Sequence, residues 1–149
     1  MSDQTEIAAR KDRLSTLAQA PHDRLLALWA AQGPVPAHEI LRAPEIGTVM
    51  VRGRAGSVGA AFNLGEMTVT RCSIRLASGT VGHGHVQGRC HEAARAAALI
   101  DAACQDGQAD TLAAAILIPL RAEAETRKTA RATRAAATKV EFFTMVRGE

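Results

Sequence analysis

The stretch Phe62-Asn63-Leu64-Gly65-Glu66-Met67-Thr68-Val69-Thr70-Arg71-Cys72-Ser73-Ile74-Arg75-Leu76, the connection Ala77-Ser78-Gly79, and Thr80-Val81-Gly82-His83-Gly84-His85-Val86-Gln87-Gly88-Arg89 decide the fold. Two runs rich in β-branched residues, 67–76 and 80–87, flank a short connection containing Ser78-Gly79. Glycine supplies the positive φ that such turns need, so the pair reads as a β-hairpin. In the first strand Met67 and Val69 share one parity while Cys72, Ile74 and Leu76 share the other. A bulge near Thr70-Arg71, or a sheet covered on both faces, would explain that switch. In the second strand Gly82, Gly84, Val86 and Gly88 line one face and Val81, His83, His85 and Gln87 the other. A strand face of nearly bare backbone implies that something approaches closely, and the alanine-rich helix expected over 93–103 is the candidate.

Working outward, residues 2–18 and 21–31 carry apolar residues at helical spacing (Ile7, Leu14, Leu17; Leu25, Leu28, Trp29) and predict an N-terminal helical pair. Residues 38–43 and 47–54 read as strands split by Pro44, and the whole sheet as an antiparallel meander of three to five strands. After the helix that begins near Arg89, Gln105-Asp106-Gly107 is a stop, and Asp110 caps a short buried helix ending before Pro119. Residues 121–138 form a helix with no large apolar side chain, with Arg127, Arg131 and Arg134 on one stripe and Glu123 and Arg127 at i, i+4. Such a helix is solvated or leans on something else. The extended C-terminal arm, 139–149, concentrates Phe142, Phe143, Met145 and Val146, which one small domain has difficulty burying. The expected class is α+β in one domain: a helical pair (1–37), an antiparallel sheet (38–88), helices (89–138) and the arm.

Composition bounds the function. A chain of 149 residues with 47% apolar content fits one globular unit, and 3% aromatics with no tyrosine makes the core small and aliphatic. A net charge of +3 suits an anionic ligand or an acidic partner without demanding nucleic acid. Few stacking aromatics on the sheet disfavour a nucleic-acid module. Three widely spaced cysteines and no apolar N-terminal run point to a cytoplasmic, reduced protein. No run approaches the roughly 18 apolar residues of a membrane span.

The junction Gln87-Gly88-Arg89 is the chemical candidate, since a helix start offers free amides to a phosphate or phosphonate oxygen with Arg89 beside it. Its glycine spacing is not the dinucleotide fingerprint. His83, His85 and His91 are a weaker zinc alternative whose spacing fits no closed site. There is no G-x-S-x-G elbow. A stand-alone small-molecule or metal enzyme and a basic nucleic-acid-binding module remain the alternative functions.

Gly65-Glu66-Met67-Thr68-Val69-Thr70-Arg71, Ser78-Gly79-Thr80-Val81-Gly82, Val86-Gln87-Gly88-Arg89, Leu99-Ile100-Asp101-Ala102 and Phe142-Phe143-Thr144-Met145-Val146-Arg147-Gly148 resemble, in one collinear order, the PhnG family, the G subunit of the bacterial carbon–phosphorus lyase core complex. The resemblance implies an accessory subunit without a cofactor of its own. It implies assembly with H-, I- and J-type subunits, and action with the L-type subunit, when methylphosphonate displaces adenine from ATP to give α-D-ribose 1-methylphosphonate 5-triphosphate. Adenine displacement would then belong mainly to the I subunit, and carbon–phosphorus cleavage to the J subunit with its iron–sulfur cluster. Arg71, Arg89 and Arg147 lie in the matching motifs and, with Gln87 and Gly88, are the expected anion or interface contacts.

Overall fold

A computed structural model describes residues 2–56 and 58–140. Helices α1 (Ser2–Gln19) and α2 (His22–Ala30) precede strands β1 (His38–Arg54), β2 (Ala61–Leu76) and β3 (Val81–Gln87). Then come α3 (His91–Ala103), α4 (Ala109–Leu112), a π-helical turn (Ala113–Leu117) and α5 (Ile118–Ala137). The strands form one antiparallel meander in the order β1-β2-β3. The α+β expectation therefore holds, with three strands among the described residues.

Helix α3 is the centre of the core. It lies on the sheet face carrying Cys72, Ile74, Leu76 and Val86, and ten of its thirteen residues are buried. Leu17, Leu25, Leu112, Ile116, Leu117 and Leu120 close the cluster around it. The glycines of β3 make this approach possible: a Cβ at Gly82 would collide with the carbonyl oxygen of Ala98, and one at Gly84 with that of Ala94. Small side chains on both partners put helix backbone against strand backbone.

Helix α1 docks in a way its apolar spacing did not announce. Ile7 is 60% exposed, and the residues turned inward are Arg10, Arg13 and Leu17, with Ala20 just past the helix end. Both arginines reach Asp101 on α3, which is fully buried: Arg10 at 2.8 Å and Arg13 at 3.2 Å. The same carboxylate accepts the backbone N–H of His83 at 3.1 Å and the amide of Gln105 at 3.2 Å, and Gln105 also donates to the carbonyl of Val81 at 2.9 Å. The outer edge of β3 is thus closed by side chains.

Three local expectations are corrected. Pro44 does not split a strand: Arg42 faces Ser73 and Glu45 faces Arg71, so β1 absorbs the proline with one extra residue and continues. This edge strand is where a residue without an N–H is tolerated. The β2–β3 register runs unbroken from Val69 to Arg75 and Thr70 and Arg71 pair regularly with Ile46 and Glu45, so no bulge of β2 falls at Thr70-Arg71; the nearest extra residue is on β1 between Arg42 and Glu45. Pro119 does not end a helix either, because the π turn just before it widens the backbone where the ring would strike the carbonyl four residues back.

Two parts extend beyond the body. Past Val69, β1 and β2 continue without β3 as a two-stranded ribbon with Val49, Met50, Phe62 and Leu64 exposed. Helix α5 is held at its base by buried Leu120, by Arg121 to Asp12 at 2.5 Å and by Glu123 to Arg24 at 2.7 Å. Glu123 therefore finds its ion-pair partner on α2 and not at Arg127. From Ala124 to Val140 every residue is exposed, which fits a helix with no apolar stripe.

Asp101→Ala is expected to lower unfolding stability by about 3–5 kcal/mol, since it leaves two arginines and a strand N–H without their common acceptor. Urea denaturation measures this; a loss under about 1 kcal/mol, the scale of a surface ion pair, would show the node to be peripheral.

Candidate functional site

The face of the sheet opposite α3 is open over much of its area, with Ile7, Arg10, Lys11 and Leu14 of α1 beside His83 at its β3 edge, and its register assembles a polar grid. Glu45, Arg71 and His85 sit in one row across β1, β2 and β3; Arg42, Ser73 and His83 sit in the next. Glu45 accepts the Nε–H of Arg71 at 2.7 Å and lies 3.4 Å from that of Arg42. Ser73 Oγ and His83 Nδ1 are hydrogen-bonded at 2.9 Å, and Arg75 pairs with Glu39 at 3.0 Å. Partial burial pushes the His85 imidazole pKa below its ordinary value, and the nearby positive groups Arg71, His83 and Arg42 push it the same way. Solvent still reaches the ring.

The strand-to-helix junction is built differently from a phosphate cradle. Gly88, at φ +84, turns the chain out of β3. Its N–H goes to the carbonyl of Thr68 at 2.9 Å, and its carbonyl accepts the hydroxyl of buried Thr70 at 2.7 Å. That hydroxyl in turn accepts the N–H of Cys90 at 3.1 Å. His22 bonds the carbonyl of Gln87 at 2.7 Å. At the start of α3, Glu92 already supplies a carboxylate, whose pKa is lowered first by its own backbone N–H and then by Cys90. Arg89 is exposed beside this start.

Of the candidates, then, Arg71 and Gln87 lie on the open face with His83 and His85, while Gly88 is spent on the turn. His91 begins α3 and does not join the other two histidines; among the described residues no group of three or more His, Cys, Asp and Glu side chains converges. Arg147, Phe142, Phe143, Met145 and Val146 lie outside the described residues. Sequence reasoning missed Arg42 and Glu45, whose meeting with Arg71 depends on the β1–β2 register, and Ser73, whose meeting with His83 depends on the β2–β3 register. It also missed Asp101, although the motif Leu99-Ile100-Asp101-Ala102 offered the signal: an acid inside an apolar helical run.

The family described as phosphonate metabolism protein PhnG matches residues 8–148. A protein of Rhizobium meliloti (strain 1021), called alpha-D-ribose 1-methylphosphonate 5-triphosphate synthase subunit PhnG, is similar at 43% identity over 150 residues, covering 99% of this chain and 95% of that protein.

His85 gives the open face a pH signature. Its proton affinity is lower in the folded than in the unfolded chain, so protonation favours unfolding. Its contribution to stability is fully present above the ordinary value of 6.5 and declines as pH falls below it. Urea midpoints at about pH 7.5 and about pH 5.5 should fall more on acidification in the wild type than in His85→Gln. An equal fall in both proteins would contradict the assignment.

Proposed function

Because this chain belongs to the PhnG family, we propose that it is an accessory subunit of the carbon–phosphorus lyase assembly in phosphonate metabolism. It acts where methylphosphonate displaces adenine from ATP to give α-D-ribose 1-methylphosphonate 5-triphosphate. Its partners are the I-, H- and J-type subunits of the core, with the L-type subunit, and its place is the cytoplasm, where ATP is available. The observation that carries this reading is the near full-length similarity to a protein named as a subunit of that synthase.

The distribution of apolar surface supports an assembly role. A two-stranded ribbon is marginal on its own in water, yet this one carries Val49, Met50, Phe62 and Leu64, the last 66% exposed. Clustered exposed apolar side chains of this kind mark protein contacts. Phe142 and Phe143, which follow α5 in the sequence, are a second contact in this proposal. The chemistry leaves a helper something to do: breaking the C1′–adenine bond develops positive charge on the ribose while triphosphate and phosphonate are held close. Fixed cations offset the repulsion of the two anions and position the nucleophile.

Co-expression with the I-type subunit should give one common peak on size-exclusion chromatography, and the chain alone should release no adenine from ATP and methylphosphonate. Adenine release by the isolated chain would overturn the accessory role.

The two contacts are separable by mutation. Burying a phenylalanine is worth about 1.5–3 kcal/mol, so Phe142→Ala with Phe143→Ala should weaken association about a hundredfold, and Phe62→Ser with Leu64→Ser by a similar factor. Both double variants should melt at the wild-type temperature. A lowered melting temperature with unchanged association would place these side chains in the chain's own fold.

A further inference from the structure

We propose that the open sheet face between Arg71, His85 and Ser73 binds a single phosphate-class oxyanion. Three observations lead there. The register sets Arg71 directly opposite His85 and Ser73 directly opposite His83, so guanidinium, hydroxyl and imidazole donors come from adjacent strands. Directly paired residues stand about 4.5–5.5 Å apart, a spacing that lets one tetrahedral anion touch two strands at once. The charges are also unbalanced at this spot. Glu45 is shared by Arg71 and Arg42, whereas Arg75 has Glu39 beside it.

The field at His85 agrees with that imbalance. Beside partial burial, Arg71, His83 and Arg42 all disfavour its proton. An anion placed there would neutralise the surplus and accept hydrogen bonds from a guanidinium fork and an imidazole, a donor set matched to phosphate or phosphonate oxygens. The choice of oxyanion rests on the functional reading above, in which a phosphonate and a triphosphate are handled together. Arg71 and Glu45 are both about half exposed, at 42% and 44% of their side chains, so the isolated chain should bind weakly, with a Kd on the order of 1 mM.

The test follows the histidine ring signals of the full-length chain by NMR, with His85 assigned through His85→Gln. Inorganic phosphate, methylphosphonate and tripolyphosphate are titrated separately against chloride at equal ionic strength. Saturable movement of the His85 signal is expected with phosphate or methylphosphonate and not with chloride. Its titration midpoint should rise by about one unit when the anion is bound, a tenfold gain in proton affinity. Tighter binding of tripolyphosphate would assign the site to the triphosphate end, and preference for methylphosphonate to the nucleophile. Arg71→Gln should weaken binding at least tenfold with unchanged melting, while Arg75→Gln on the same face should bind as the wild type does. No saturable shift, or equal loss in the two arginine variants, overturns the proposal. Failure to bind oxyanion alongside normal co-purification with the I-type subunit removes this site alone; oxyanion binding without co-purification removes the subunit reading and leaves the site.

Discussion

The buried carboxylate of Asp101 is the constraint on which the rest of the structure depends. A charge withdrawn from water is tolerated only when its lone pairs are filled by well-placed donors. Here the donors come from three different places: Arg10 and Arg13 on α1, the backbone of His83 on β3, and Gln105 at the end of α3. Satisfying one acid therefore fixes where α1 lies, where β3 ends its hydrogen bonding and how α3 leaves the core. The arrangement is directional in a way that alanine-on-glycine packing is not. Small residues allow α3 to slide on the sheet; a carboxylate with several fixed donors selects one position along it.

The same closure makes the molecule asymmetric. On the β3 side the sheet edge is satisfied by Asp101 and Gln105 and flanked by α1. On the β1 side, Pro44 and the register shift at Arg42 and Glu45 interrupt the edge, but Ile46, Val49 and Met50 remain exposed beyond them. Small side chains allow the core to be dense without being large. The larger apolar residues beyond the end of β3, Val49, Met50, Phe62 and Leu64, have no layer to enter and collect on the ribbon, while α5 from Ala124 onward is exposed all round. A subunit that folds around a compact centre and presents its remaining apolar surface on extensions is suited to joining others.

What was legible in the sequence was local. The hairpin followed from Ser78-Gly79 between β-branched runs, and the Gly82, Gly84 face predicted the close approach of α3, because each argument needs only neighbours in sequence. What escaped was set by partners distant along the chain. Arg10 and Arg13 look like solvated helix residues until an acid 91 or 88 positions away is placed beside them. The i, i+4 spacing pairs Glu123 with Arg127 on its own helix, yet Arg24, held by the packing of α2, offers a two-pronged contact that Arg127 does not. Prolines misled for a related reason: the rules for Pro44 and Pro119 assume regular backbone, and an extra residue in an edge strand or a π turn removes the clash the rules are built on. The open-face grid was half visible, in the alternation of His83 and His85, and half hidden, since only the register of β1 brings Arg42 and Glu45 to it.

Asp101 and the open face are also physically connected. The backbone N–H of His83 is held by Asp101 on one side of β3, while its imidazole meets Ser73 on the exposed side. Strand β3 is thus anchored at the residue where its polar face begins, and the position of the neighbouring His85 relative to Arg71 inherits that anchoring through a rigid, unbroken register. Side chains on strands fixed in this way keep their spacing when a charged ligand or a partner surface arrives, so little reorganisation opposes binding. The buried acid contributes to the exposed face by holding its backbone still, not by adding charge to it.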